Sequence, residues 1–114
     1  MDRDIIRIFI SQPMRFKSHE EIMQERAKAI EMARTRITGM ESEKYGPKIE
    51  VLDTVFNSSN SHPPLYYLGR SIQLMGQADV VVFAKGWMEA RGCRIERRVA
   101  REYRLKVLDL DAEG

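Results

Sequence analysis

A single acid followed by five apolar residues, Asp79-Val80-Val81-Val82-Phe83-Ala84, constrains this chain more than any other stretch. Apolarity without alternation is the pattern of a parallel strand covered on both faces. Lys85-Gly86-Trp87 breaks the run, and Arg91-Gly92-Cys93 opens a segment of helical period. On a helix from Gly92 to Tyr103, the positions Gly92, Ile95, Glu96, Val99, Ala100 and Tyr103 form one stripe. Glu96 is the exception on that stripe, which is otherwise small, apolar or aromatic. Arg94, Arg97, Arg98, Arg101 and Arg104 fall outside it and predict a basic solvent face. A carboxylate on the inward stripe, in the first turn after a strand, is the first candidate for chemistry.

Earlier in the chain, Ile5 to Ile10 reads as a strand, and Pro13 ends its ladder. Ser18-His19-Glu20-Glu21 is a capping box that starts a helix. Ile22, Ala29, Ile30, Ala33 and Ile37 share a face of this helix with Arg26, and Gly39 ends it. Ile49 to Phe56 is a second strand, and Asn57 to Pro64 is the long irregular loop, a lid or a disordered segment. Leu65 to Gly76 is a helix with Leu68, Ile72 and Met75 on one side, and Lys106 to Leu110 is the last strand. The order β-α-β-α-β-α-β predicts an α/β fold: a small flavodoxin- or Rossmann-like three-layer arrangement. It has a parallel sheet of about four strands with helices on both faces. At 114 residues, one domain over 1–114 is expected.

A net charge of +2 is too small to argue for nucleic acid, despite the clustered arginines. One cysteine, Cys93, excludes an internal disulfide and fits a reducing compartment. No apolar run approaches the roughly 20 residues that span a bilayer, and the charged start Met1-Asp2-Arg3-Asp4 is unlike a signal peptide. A cytoplasmic location follows as an expectation. No Walker A loop or G-x-G-x-x-G occurs, and His19 and His62 are too isolated for a metal cluster. Neither metal nor cofactor is expected.

In such a sheet, ligands bind outside the carboxyl ends of the strands. Three loops are expected there: Ser11–Lys17, Asn57–Pro64 and Lys85–Gly92. Ser11 and Arg15 lie beside a helix start suited to phosphate or hydroxyl oxygens. Trp87 offers an aromatic face for a base, or else packing or a subunit contact. The helix dipole and nearby arginines are expected to keep Glu96 ionised. Its bland alternative is a cap, or a pair with Arg15 or Arg26. Asp79 has the alternative of bonding backbone amides at a strand entry. Cys93 near a helix start has either a lowered pKa or, more simply, a small buried role.

Three segments resemble one family in the right order: Phe9-Ile10-Ser11-Gln12-Pro13-Met14-Arg15, Ala78-Asp79-Val80-Val81-Val82-Phe83 and Gly92-Cys93-Arg94-Ile95-Glu96. They are similar to motifs of the nucleoside 2-deoxyribosyltransferase-like proteins, over about Ile6 to Leu108. The likeness is nearest to a small branch related to deoxynucleoside monophosphate N-glycosidases. The resemblance implies a transferase or hydrolase that cleaves the N-glycosidic bond of a (deoxy)nucleoside or its 5′-monophosphate. It implies Glu96 as nucleophile at C1′, forming a glycosyl-enzyme ester that a second base or water resolves. It implies Asp79 in binding or protonating the leaving base, and Ser11, Gln12, Met14 and Arg15 around the sugar or 5′-phosphate. Trp87 and Gly92 complete the expected substrate-binding set. A homodimer or higher homo-oligomer with shared sites is also implied. Three departures stand out: Ser71 where an acid is usual at the start of the preceding helix, Ala90 (beside Glu89) at another acidic position, and Phe16 where glycine is expected. They keep a second reading in play, a non-catalytic nucleotide-binding or protein-interaction module on the same fold.

Overall fold

The structure, a computed structural model, describes residues 5–39, 47–52 and 62–111. Four strands, β1 (Ile5–Ser11), β2 (Lys48–Val51), β3 (Val80–Phe83) and β4 (Val107–Asp109), alternate with three α-helices. The helices are α1 (His19–Thr38), α2 (Pro64–Met75) and α3 (Arg91–Glu102), and a 3-10 turn at Trp87–Glu89 precedes α3. The expected second strand over Ile49–Phe56 is seen as Lys48–Val51; positions 53–56 lie outside the described residues, as do 57–61 of the expected loop.

All neighbouring strands pair in parallel, in the order β2-β1-β3-β4. The chain steps from β1 outward to β2, then crosses back over β1 to β3 and on to β4. Crossovers of one hand then put α1 on one face and α2 and α3 on the other. Alternation along the strands supplies each face with its own core. Ile8, Ile10, Val80 and Val82 meet Ala29 and Ala33 of α1. Phe9, Val81 and Phe83 meet Met75 of α2 and Ala100 of α3. β3 is buried throughout, as its unbroken apolarity predicts.

Both ends of α1 are set locally. The Ser18 hydroxyl accepts from the Glu21 amide and the Glu21 carboxylate accepts from the Ser18 amide. Gly39 closes the helix at φ +72, a left-handed conformation that glycine adopts without a Cβ penalty. α2 starts on Pro64, one residue before the expected start, with proline in the first turn where its missing N–H costs no helix bond. None of the helices among the described residues is long and apolar enough to cross a membrane.

The helix α3 corrects the predicted stripe. Its buried residues are Cys93, Glu96 and Ala100, while Ile95 is 38% and Tyr103 75% exposed. Arg97 turns inward with them. Its guanidinium lies over the rings of Phe83 and Trp87, and it pairs with Asp109. The inward face is therefore rotated by about one residue, and Glu96 belongs to both versions. Small residues at 93 and 100 let the helix lie close on β3. The side chains at 95 and 103 lie away from that contact.

Candidate functional site

The direction of the chain reverses between β1 and β3, so the crevice at their carboxyl ends is the switch point of the sheet. Ser11, the last residue of β1, is in register with Phe83 and accepts a backbone bond from Ala84. Its side chain points to the α2–α3 side. There its hydroxyl donates a 2.6 Å hydrogen bond to Oε1 of Glu96. Ser71 of α2 also hydrogen-bonds this carboxyl, and Cys93, one helical turn before Glu96, hydrogen-bonds with Ser11. All four side chains are buried. β1, α2 and α3 thus each contribute a polar group to one cluster.

Burial pushes the Glu96 carboxyl above its ordinary value, against the hydrogen bonds from Ser11 and Ser71 that pull it down. The shift runs opposite to the one expected from the helix dipole and the nearby arginines. Glu96 lies in the second turn of α3, beyond the free amides of the helix start. Among the described residues no basic side chain pairs with it. Arg15 lies exposed against Phe16, and Arg26 donates to the Leu52 carbonyl at 3.0 Å. Burial also pushes the Cys93 thiol up to about 11, with Glu96 adding to the effect and Ser11 opposing it. The simple buried reading of Cys93 holds.

Asp79 is not part of this cluster. It precedes β3 at the amino edge of the sheet, opposite the Arg7 backbone. Its Oδ2 accepts from the Arg7 amide at 2.7 Å, and its own amide donates to the Arg7 carbonyl at 2.7 Å. Four strand positions, or roughly 13 Å, separate it from the edge where Glu96 lies. The strand-entry role fits, and the role at the leaving base does not.

The remaining expected residues divide. Gln12 is buried on the α1 side, its Nε2 donating to the Ile22 carbonyl at 3.1 Å, while Oε1 has no partner among the described residues. It borders a cleft of about 270 Å³ with Lys28 and Lys85, a cleft that Glu96 does not line. Met14 is half-buried and Arg15 exposed, both in the loop that leads away from Ser11. Gly92 opens onto free space: among the described residues, nothing beyond its own helix backbone and chain neighbours lies within 4 Å of where a Cβ would sit. Trp87 packs into the second core, 5.4 Å from Phe83 and beneath the Arg97 guanidinium. It is a wall of the fold before it is a platform for a base.

Ser71 lies in the middle of α2, not at its start, and reaches Glu96 from there. Its place facing the sheet is legible as i−4 from the buried Met75. Its partner, 25 positions on, is not legible in that pattern. Among the described residues, no three His, Cys, Asp or Glu side chains come together as a metal site would require.

No curated protein and no solved structure matches this chain. A family model does match, from Phe16 to Asp109, spanning α1 to β4 and including Ser71, Cys93 and Glu96. The chain belongs to that family, the DUF4406 domain of unknown function.

Proposed function

We propose that this domain cleaves the N-glycosidic bond of a deoxynucleoside or its 5′-monophosphate, with Glu96 as the nucleophile. The observation that carries this reading is the buried Glu96 carboxyl, held by Ser11 at 2.6 Å beside the switch point of a parallel sheet. A carboxyl that is desolvated without a cationic partner is a costly arrangement, and such groups concentrate at functional sites. The ionised carboxylate forms a bond to C1′ as the C1′–N bond breaks, and the electron pair leaves with the base, which takes a proton from solvent. Water then hydrolyses the ester and restores the carboxylate, or a second base resolves it by transfer. The Ser11 hydroxyl orients the carboxylate throughout. The raised pKa makes the ionised fraction, and with it the rate, climb with pH on the acid side. The same reading carries a homo-oligomer in which a neighbouring chain helps complete the pocket.

The module reading has its own support, because the residue that meets Glu96 from α2 is Ser71 and not an acid, and Asp79 lies at the other edge. One experiment separates the two. Purified protein is incubated with deoxynucleosides and their 5′-monophosphates, with and without a free base, and the products are resolved by chromatography. Base release that is lost in Glu96→Ala and Glu96→Gln supports the glycosyl enzyme. Release unaffected by these substitutions overturns the role of Glu96. Nucleotide binding by calorimetry without release favours the module.

A further inference from the structure

Phe16 is 92% exposed, the most exposed large apolar side chain among the described residues. Its backbone lies at φ +67, a conformation that is an outlier for a bulky residue. The cause is a turn in which the Lys17 amide donates to the Met14 carbonyl at 3.2 Å. Phe16 is the third residue of that turn, the position that takes positive φ in type II turns and normally holds glycine. The strained backbone and the bare ring both oppose folding, and little packing offsets them. Among the described residues the Arg15 guanidinium lies over the ring, 4.8 Å from the centroid. Strain held without a folding reason points to function.

The stem of this loop is tied to the Glu96 cluster. Ser11 begins it, and the charge of Lys17, next to Phe16, bears on the Cys93 thiol. The tip, Arg15 and Phe16, projects to solvent from the carboxyl edge of the sheet. We infer that this tip is a stacking platform for the planar base of the substrate, with Phe16 supplying the ring face and Arg15 backing it. The ligand class is a purine or pyrimidine joined to a sugar held near Glu96, so the inference rests on the function proposed above. A positive φ at this position fixes the direction in which the ring stands, which a flexible loop of ordinary turns would not. Stacking on an aromatic face is sequence-tolerant and needs no hydrogen bond from the base.

The test measures binding by calorimetry in the Glu96→Gln background, where turnover does not consume the ligand. The probes are deoxyadenosine and deoxycytidine 5′-monophosphates and, without a base, 2-deoxyribose 5-phosphate. Phe16→Gly is expected to weaken both nucleotides about tenfold, leave the sugar phosphate unchanged, and raise the melting temperature by relieving the turn. Phe16→Trp is expected to retain nucleotide affinity. Unchanged nucleotide affinity in Phe16→Gly, or an equal loss for all three ligands, overturns the platform and leaves the proposed function standing. If the Glu96→Gln protein with Phe16 intact binds no nucleotide, both inferences fall.

Discussion

The Ser11 hydroxyl reaches across 85 positions of sequence to donate a 2.6 Å hydrogen bond to Glu96 Oε1, joining the end of the central strand to α3. Removing the donor leaves a buried carboxyl with less support. Ser11→Ala is expected to cost about 1–3 kcal/mol at neutral pH and to raise the Glu96 pKa further, since this bond lowers it. Thermal melts across a pH series check both. A melting temperature and pH profile identical to the wild type would show that the bond does no such work.

Glu96 itself sets a pH dependence of unusual sign for an acid. Its pKa is raised in the fold, so the folded state holds the proton more tightly than the unfolded chain. Below the ordinary value of 4.5 both states are protonated, and the neutral side chain carries no charge penalty. As pH rises through the raised value, the buried charge costs stability. Glu96→Gln is therefore expected to melt higher than the wild type at pH 7–8, with the gap closing in acid. A gap that widens towards low pH would contradict the burial argument.

Cys93 is 4% exposed, and its thiol is pushed up to about 11. Very little thiolate exists at pH 8 in the folded protein. A chromogenic disulfide reagent is expected to react with it only after denaturant is added. Prompt reaction of the native protein would place the thiol at the surface.

Asp79 anchors the start of β3 through the Arg7 amide. Asp79→Ala is expected to lower stability by about 1 kcal/mol, measured by denaturant titration. Any activity that depends on Glu96, measured per folded molecule, should survive the substitution. Loss of that activity at full stability would return Asp79 to the chemistry.

Arg104 sits at φ +56 just past α3, where the Leu105 amide donates to the Ala100 carbonyl and closes the helix end. Glycine is the usual residue at such a position. Arg104→Gly is expected to gain about 1 kcal/mol and to raise the melting temperature by about 4 °C.

The order and type of the elements could be read from the sequence because each rests on signals a few residues long. Ser18 and Glu21 cap α1, Gly39 stops it, and the unbroken run 80–84 has no lawful place except between two layers. The rotation of α3 could not be read. Gly92, Ile95 and Tyr103 complete one helical stripe, and Cys93 and Arg97 complete its neighbour, with Glu96 and Ala100 shared between them. Contact with β3 chose the second stripe, since small side chains permit close approach and long ones do not. Likewise, the arginines around Glu96 in sequence suggested an ionised carboxylate. They project mainly from other faces of the helix, and desolvation dominates inside.

The amino-acid sequence by itself therefore determined a parallel α/β sheet and singled out Glu96 as the carboxylate that breaks an apolar pattern. Periodicity and capping act between near neighbours, and a single chain displays them directly. Which groups meet Glu96, and which edge Asp79 occupies, depended on strand order and register, which bring together residues as distant as Ser11 and Glu96. Only packing the helices onto both faces of the sheet put Ser11, Ser71 and Cys93 around one buried acid and left Asp79 at the far edge.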